Sequence, residues 1–243
     1  MKELTIKDLT FGYAGRPLGY ISQVTFRSGE LNYLFGPNGI GKSTLFKTIA
    51  GQVPALSFGS MTLDQKELSK TSTKNRSNLI SFLQSSRVNS RISVMDFFEI
   101  GLTTSNLRRS SRSLIRERIV EKCSTYGLTH LLDKYIWSTS DGEYQKILIL
   151  LSVLRECPVL LMDEPLTHLD PPNQREVMNL FKKLSVDHIL VLSTHNIEKL
   201  KDFSGRSFAI CHDSSFQELE NQLILKNSGL VKVFGEKMKN FAH

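Results

Sequence analysis

The sequence predicts an α/β protein in which strands and helices alternate around a parallel, covered sheet that is interrupted by a helical insert. Two observations predict the sheet. Short apolar runs such as Val159–Met162 alternate with helical patterns, and a glycine-rich loop over Gly36–Gly41 stands between a predicted strand and a predicted helix. A third observation predicts the insert, because residues from about 85 to 157 carry helical periodicity and little strand signal.

The N-terminal segment indicates a strand, two turns and two shorter strands. Lys2–Leu9 alternates polar and apolar residues, which is typical of a half-buried strand. Glycine and proline in Phe11–Tyr13 and Ala14–Pro17 predict turns. Val24–Phe26 and Leu31–Phe35 are predicted as short strands.

The rest of the chain predicts alternating helices and strands. Lys42–Ala50 is predicted as a helix that ends at Gly51, and Ile115, Ile119 and Cys123 share one helical face in the insert. The other predicted elements are a strand over Leu79–Leu83, a buried helix over Gly142–Arg155, a strand over Val159–Met162, a helix that begins at Pro171 and Pro172, and a strand over His188–Leu192.

The composition is that of a globular protein with a sizeable core. The chain has 243 residues, of which 40% are hydrophobic and 23% charged. Its 31 Lys and Arg exceed its 24 Asp and Glu by 7, a diffuse surplus that selects neither nucleic acid nor a membrane surface. Cys123, Cys157 and Cys211 form no CxxC pair, which disfavours a disulfide framework or a zinc site and indicates a reducing compartment.

No segment is long enough to cross a membrane as a helix. The longest nearly apolar run, Ile147–Leu154, is far shorter than the roughly 20 residues that span a bilayer. The charged opening MKELTIKDL does not have the pattern of a signal peptide. A role in membrane transport therefore requires another chain to supply the channel.

The glycine-rich loop has the pattern of a phosphate-binding loop. It satisfies G-x-x-x-x-G-K-[ST] in the strand–loop–helix context that this motif requires. Glycines let backbone N–H groups converge on phosphate oxygens, and the helix N-terminus adds partial positive charge. Lys42 is predicted to reach the β- and γ-phosphates and Ser43 to ligate Mg²⁺. The predicted nucleotide-binding residues of this loop are Gly36, Pro37, Asn38, Gly39, Gly41, Lys42, Ser43 and Thr44.

A second signal is the acidic end of the strand over Val159–Met162. Ligands bind at the C-terminal ends of buried parallel strands, and Asp163 and Glu164 stand at such an end. Asp163 is the predicted Mg²⁺ ligand and Glu164 the predicted general base for an attacking water. The alternative for this pair is a strand that runs into an acidic turn.

Three further motifs follow or flank these two: Ser140–Lys146, Thr167–Asp170 and Ser193–His195. Together the five stand in the order found in an ABC-transporter ATPase subunit. The chain resembles such a subunit from about residue 2 to 211. The resemblance implies a P-loop NTPase fold with a RecA-like core, an N-terminal antiparallel β edge and an inserted helical subdomain. It implies a single ATPase domain over 1–243, with its core in 1–84 and 158–243 and the helical subdomain in 85–157.

The resemblance also implies roles for further residues. Tyr13 is similar to the aromatic that stacks on adenine, and Gln84 to the residue that links Mg²⁺ and water to the transmembrane partner. His195 is similar to the switch histidine that contacts the γ-phosphate. Ser140 and Gly142 are similar to the signature that meets the γ-phosphate of the opposite protomer, and Asp170 to the aspartate at the dimer seam.

Each of these residues has an ordinary structural alternative. Tyr13 could be a turn aromatic, Gln84 a polar strand end and His195 a core histidine, and the signature helix could be only a buried helix. The signature also departs from the usual Leu-Ser-Gly-Gly-Gln, since the chain has Thr139–Glu143 with Asp141 in its centre. We expect the Asp141 side chain to turn away from the phosphate.

The family works as head-to-tail dimers that hold two ATP molecules and drive attached membrane subunits. The resemblance therefore implies ATP and Mg²⁺ as cofactors. It implies a second copy, a permease and, indirectly, a solute-binding protein as partners, at the cytoplasmic face of the inner membrane. The segment Leu169–Val177 most resembles ATPases of iron-siderophore, haem and cobalamin importers. The alternatives are a non-transport ABC ATPase and a weakly hydrolysing regulatory subunit.

Two basic stretches leave a nucleic-acid role open as an alternative. Leu107–Arg118 and Lys66–Arg76 are rich in Arg, Lys and Ser, but neither interleaves aromatic residues as single-strand binders do. Solvated faces near an acidic membrane explain them better, so no direct contact with nucleic acid is expected. The tail beyond Asp213 carries no recognisable motif.

Overall fold

The structure, a computed structural model, describes residues 1–68, 71, 73–84, 87–102, 111–167, 169–195, 204–219 and 233. Part of each basic stretch, and most of the tail beyond Asp213, lie outside these residues. The strands are β1 (Glu3–Tyr13), β2 (Arg16–Arg27), β3 (Leu31–Phe35), β4 (Ser60–Leu63), β5 (Lys66–Glu67), β6 (Ile80–Gln84), β7 (Val159–Asp163), β8 (Ile189–Thr194), β9 (Arg206–Ile210) and β10 (Phe216–Leu219). The helices are α1 (Lys42–Ile49), α2 (Thr73–Arg76), α3 (Val94–Leu102), α4 (Arg112–Thr125), α5 (Asp141–Leu154) and α6 (Pro171–Ser185).

In the described part of the chain, the strands form two sheets. The N-terminal sheet has the order β2–β1–β4–β5 and is antiparallel, with Leu4 opposite Phe26 and Ile6 opposite Met61. The larger sheet has the order β10–β9–β3–β8–β7–β6 and is parallel except for the β9–β10 pair. The predicted α/β fold with a parallel sheet and an N-terminal antiparallel edge is confirmed.

Helix α1 lies between the two sheets. Its buried Leu45, Phe46 and Ile49 pack in one apolar cluster with residues of β1 and β2 and with one face of the larger sheet. The other face of that sheet packs with α3, α4, α5 and α6 in a second cluster. Because β3 and β7 are covered on both faces, every residue in them is buried, as continuous apolar runs predict.

The predicted turn over Phe11–Tyr13 is wrong, because β1 continues through these residues to Tyr13. Phe11 is fully buried and pairs with Gly19 of β2, and the register between the two strands shifts between Phe11 and Gly12. This irregularity lets the strand keep pairing past a glycine that local turn propensity marks as a break. The short strand predicted at Val24–Phe26 is likewise only the end of β2.

Helices α3, α4 and α5 stand between β6 and β7, where the sequence predicts the helical insert. Ile119 and Cys123 are fully buried, on the helical face that the periodicity indicated. Helix α5 begins after Ser140, whose Oγ accepts a hydrogen bond from the Glu143 N–H while the Glu143 carboxylate accepts from the Ser140 N–H. This capping box makes Ser140 the start of the helix. Among the described residues, no helix is long and apolar enough to span a membrane.

Candidate functional site

The carboxyl ends of the parallel strands bring the predicted catalytic groups to one edge of the larger sheet. The phosphate loop follows β3, the acidic pair ends β7, and His195 follows β8. Gln84 ends β6 and stands in register with Asp163 on β7. Parallel neighbours end at the same edge, so groups that are far apart in sequence meet here.

Lys42 is a buried cation at the start of α1. Its side chain is 6% exposed, and Nζ donates hydrogen bonds to the carbonyl oxygens of Gly36 at 2.8 Å and Pro37 at 3.1 Å. Nζ also lies 3.5 Å from Oε1 of Glu164. Burial lowers the pKa of Lys42, and the charges of Glu164 and Asp163 partly offset that effect. The loop therefore holds one desolvated positive charge that is directed by its own backbone.

The loop packs so closely on β9 that a side chain would not fit at Gly36. Its φ is 155°, and a Cβ there would lie 2.9 Å from the Ile210 carbonyl oxygen and 2.9 Å from Cγ2 of Ile40. A glycine avoids both contacts and adopts this φ without strain. The first glycine of the motif therefore sets the path of the loop, and the loop places Lys42.

Two serine hydroxyls hold the Asp163 carboxylate from opposite sides. Ser43 Oγ donates to Oδ2 at 2.5 Å, and Ser193 Oγ donates to Oδ1 at 2.6 Å. Ser193 Oγ in turn accepts from the Glu164 N–H at 2.9 Å. The hydroxyl of Ser43 and the carboxylate of Asp163 are oxygen donors of the kind Mg²⁺ prefers, so this pair fits that ion. The sequence pattern assigns Ser193 no role of its own, although Ser193 begins the Ser193–His195 motif.

Glu164 is held by several partners in a constrained backbone position. Its φ is 53°, in the left-handed region that is uncommon for a non-glycine residue. Oε2 accepts a hydrogen bond from Thr167 Oγ1 at 3.1 Å and lies 2.9 Å from Nδ1 of His195. Strained backbone of this kind is concentrated at functional sites. The carboxylate is partly exposed and faces both the buried lysine and the histidine.

A cavity of about 310 Å³ opens beside these groups. Lys42, Ser43, Asp163 and Glu164 line it, and so does Tyr13, whose side chain is exposed. The remaining lining residues are Arg16, Leu18, Asn38, Gly39, Gly41 and Thr44. Arg16 and Leu18 were missed by the sequence analysis, since Arg16 fell in a predicted turn and Leu18 in an unassigned segment.

Three predicted site residues, Ser140, Gly142 and Asp170, are not among the described residues that line this cavity. Ser140 caps α5, and Asp170 caps α6, where its Oδ1 accepts from the Asn173 N–H at 3.0 Å. Gly142 has a packing reason of its own, because a Cβ there would lie 2.4 Å from Oδ1 of Asn173. The three residues thus mark the start of two helices that contact each other, α5 and α6.

The chain resembles known proteins over most of its length. The profile of a family described as ABC transporter matches residues 21–167. Two proteins of Saccharolobus solfataricus classed as ABC transporter ATP-binding proteins are 28% and 31% identical, over 99% and 86% of this chain. The chain spans only 47% and 41% of the lengths of those two relatives.

A third relative and a solved structure cover nearly the full length of both chains. The petrobactin import ATP-binding protein of Bacillus subtilis is 24% identical over 94% of this chain and 91% of its own. A chain of a transporter provisionally classed as metal-chelate type, solved in an inward-facing conformation, superposes with a TM-score of 0.80. It is 24% identical, over 96% of this chain and 89% of its own, so this likeness shows the fold alone.

Proposed function

This chain belongs to the ABC transporter family of ATP-binding proteins, and on that premise we propose that it hydrolyses ATP to drive solute import through a separate permease. The observation that carries the proposal is the convergence of Lys42, Ser43, Asp163 and Glu164, which contact one another in pairs and line the same cavity. A buried cation, a hydroxyl–carboxylate pair and a constrained second carboxylate supply the parts that phosphoryl transfer to water requires.

Lys42 neutralises the phosphates of the nucleotide. Its ammonium group is bound to the Gly36 and Pro37 carbonyls and lies 3.5 Å from Oε1 of Glu164, beside the cavity that both residues line. A desolvated cation attracts a polyphosphate more strongly than a hydrated one, because less water has to be removed on binding. The backbone N–H groups at the start of α1 add partial positive charge. Tyr13, which lines the same cavity, offers its ring to the adenine.

Ser43 and Asp163 would hold Mg²⁺, and Gln84 stands next to them at the end of β6. When bound, Mg²⁺ neutralises charge on the β- and γ-phosphates and fixes their geometry. Ser193 donates to Oδ1 of Asp163 and so orients that carboxylate.

Glu164 acts as the general base. It accepts a proton from a water whose oxygen attacks the γ-phosphorus, while the bond to the ADP oxygen breaks and the negative charge moves to ADP. Thr167 and His195 hold one carboxylate oxygen, which leaves the other oxygen facing Lys42. His195, whose Nδ1 lies 2.9 Å from Oε2 of Glu164, is proposed to contact the γ-phosphate.

The site is completed by a second copy of the chain. Ser140, Gly142 and Asp170 lie at helix starts away from the cavity of their own chain, and the capped N-terminus of α5 offers N–H groups and partial positive charge. In a head-to-tail dimer, these groups face the γ-phosphate of the partner's ATP. ATP then joins the two surfaces, and loss of the γ-phosphate releases them.

We expect ATPase activity to return when two inactive variants are mixed. Lys42→Ala damages the site of its own chain and Ser140→Arg damages the site of its partner, so a mixed dimer has one site with both changes and one intact site. Random pairing makes half of the dimers mixed, which gives about a quarter of wild-type activity if the intact site turns over alone. Phosphate release by each variant alone and by the equimolar mixture measures this.

The control for this experiment is Ser111→Arg. Ser111 Oγ accepts a hydrogen bond from the Leu114 N–H at the start of α4, so its replacement removes a helix cap at a residue to which no role in the partner's site is assigned. The loss of a helix cap alone should leave turnover intact.

A second experiment measures dimer formation by Glu164→Gln in the presence of ATP, by sedimentation. A chain that stays monomeric with ATP and the permease present would contradict the shared site.

An exposed aromatic surface on the helical side of the molecule is suited to the permease. A cavity of about 520 Å³ is lined by Asn89, Arg91, Tyr135 and Trp137, and the two aromatic side chains are 52% and 54% exposed. Two backbone hydrogen bonds, from the Ile136 and Trp137 N–H groups to the carbonyls of Ile92 and Ser90, join the two segments that carry this surface. Exposed Trp and Tyr beside Arg are the residue types that dominate protein interfaces.

We expect Trp137→Ala to weaken retention of the permease by roughly 30-fold, the loss for a hot-spot side chain that contributes about 2 kcal/mol. A tagged chain is purified from detergent-solubilised membranes, and the retained proteins are identified by mass spectrometry and titrated. Tyr20→Ala, which removes an exposed tyrosine from the N-terminal sheet, is the matched control. Retention of soluble or nucleic-acid partners without a multi-span membrane protein would contradict the transport proposal and favour a non-transport ATPase.

The solute proposed is a metal chelate, haem or cobalamin-type compound. A relative named for petrobactin import and the segment Leu169–Val177 support this class. The solute contacts the permease and binding protein, so the chain would act peripherally at the cytoplasmic face of the inner membrane. Uptake of labelled chelates by cells that contain or lack this chain tests the solute class.

A further inference from the structure

We propose that Arg87 is a positioning residue of the shared nucleotide site. Arg87 neutralises Asp141 and anchors the start of α5, so that Ser140 can approach the γ-phosphate of the ATP bound by a second copy of the chain. This inference rests on the proposed function and adds a residue that the motifs do not contain. Arg87 lies in the segment that follows Gln84, and no sequence pattern marks it.

The Arg87 guanidinium binds the chain on both sides of Ser140. Nη1 donates to Oδ1 of Asp141, and Nη2 donates to the carbonyl oxygen of Thr139. The two acceptors belong to the residues immediately before and after the capping serine. The planar guanidinium group can donate to both acceptors at once in a fixed geometry, whereas a lysine ammonium group has no such fixed arrangement of donors.

Tyr144 gives the same segment a second attachment to α5. The Arg87 guanidinium carbon lies 5.6 Å from the centroid of its ring, and the Val88 N–H donates to the Tyr144 hydroxyl at 3.0 Å. The Tyr144 side chain is buried, so it presents a rigid platform. Stacking and hydrogen bonding thus orient Arg87 from one side while Asp141 and Thr139 hold it from the other.

Charge at the start of α5 explains why such an anchor is needed. The first turn carries two carboxylates, Asp141 and Glu143, at the place that would meet a polyphosphate. Lys134 Nζ lies 2.6 Å from the Glu143 carboxylate, and Arg87 pairs with Asp141. Each carboxylate therefore has its own cation from another segment. Without Arg87, the uncompensated charge of Asp141 would repel the γ-phosphate of the partner's ATP.

The exposure of the pair indicates a role other than stability. The Arg87 and Asp141 side chains are 38% and 61% exposed, and ion pairs as exposed as this contribute little to folding. Arg118 and Glu156 form a pair of similar exposure, 35% and 50%, away from the start of α5. This second pair provides a control of matched chemistry.

Arg87→Ala tests the inference in the full chain. We expect its kcat for ATP hydrolysis to fall about tenfold or more, as for a like charge placed against a bound anion. The affinity of the single chain for Mg·ATP and the Tm are expected to stay near wild type, because the change acts on the partner's site. Adding Asp141→Asn to Arg87→Ala removes the repelling charge and should restore most of the lost turnover.

The controls separate this inference from the proposed function. Arg118→Ala, alone and with Glu156→Gln, should leave kcat unchanged. Wild-type turnover in Arg87→Ala, or a double variant as slow as Arg87→Ala, would overturn the role of Arg87 while ATP hydrolysis by the wild type still supports the proposed function. A wild-type chain that binds no ATP, in calorimetry with Mg²⁺ present, would overturn both.

Discussion

Glu164→Gln is expected to slow ATP hydrolysis by at least about 10²-fold, the lower range for general acid–base catalysis, while ATP still binds. The amide has nearly the same shape as the carboxylate but cannot accept the proton of the attacking water. It can still accept the hydrogen bond from Thr167 Oγ1 that the carboxylate accepts at 3.1 Å. Phosphate release and calorimetric ATP titration, both with Mg²⁺, measure the two effects separately.

Glu176→Gln is the matched control for this prediction. Glu176 is an exposed residue of α6 whose carboxylate pairs with Lys146, and it lies outside the cavity lining. Its replacement makes the same chemical change without removing the proposed base, so turnover should be that of the wild type. If Glu164→Gln hydrolysed ATP at the wild-type rate, Glu164 could not be the base.

Lys42→Ala is expected to weaken ATP binding by roughly 10- to 100-fold, because hydrogen bonds to charged groups contribute about 1.5–3 kcal/mol. The lost ammonium group is a buried cation that lines the cavity, and water cannot replace its charge opposite the β- and γ-phosphates. Glu164 would at the same time lose the cation that lies 3.5 Å from its carboxylate. Its negative charge would then oppose the nucleotide more strongly.

Lys47→Ala on the same helix is the control. Lys47 lies in the last turn of α1 and is only partly buried, so its replacement tests general effects of removing a lysine from this helix. Calorimetric titration of both variants with Mg·ATP, and their Tm without nucleotide, distinguish lost binding from lost folding. An unchanged ATP affinity in Lys42→Ala would argue decisively against the phosphate-loop interpretation.

The strands and the motifs at their ends were largely predictable from sequence. Continuous apolar runs such as Val159–Met162 can be buried on both faces only in a covered sheet, so the sheet and the position of Asp163 and Glu164 followed from local pattern. The boundaries of β1 and β2 were not predictable, because long-range pairing of Phe11 with Gly19 overrides a local turn signal.

The partners of the site residues belong to the tertiary structure. Arg16 reaches the cavity from a segment that carries no periodic signal. Ser193 contacts Asp163 and His195 contacts Glu164 across about 30 positions of sequence. The same holds for the hydrogen bond from Arg87 to Asp141, since these residues are 54 positions apart in the sequence. A single side chain in an irregular segment leaves no pattern in the sequence.

The sequence by itself determined the fold class, the phosphate loop and the order of the motifs, because backbone geometry and burial impose periodicity and spacing on the residues that satisfy them. Only the tertiary structure decided which side chains hold one another. It made Lys42 a buried cation that faces Glu164, and it gave each carboxylate at the start of α5 its own cation. Hydrogen bonds and ion pairs act over a few ångströms in space, and the distance in space between two residues is set by the packing of the whole chain rather than by their separation along it.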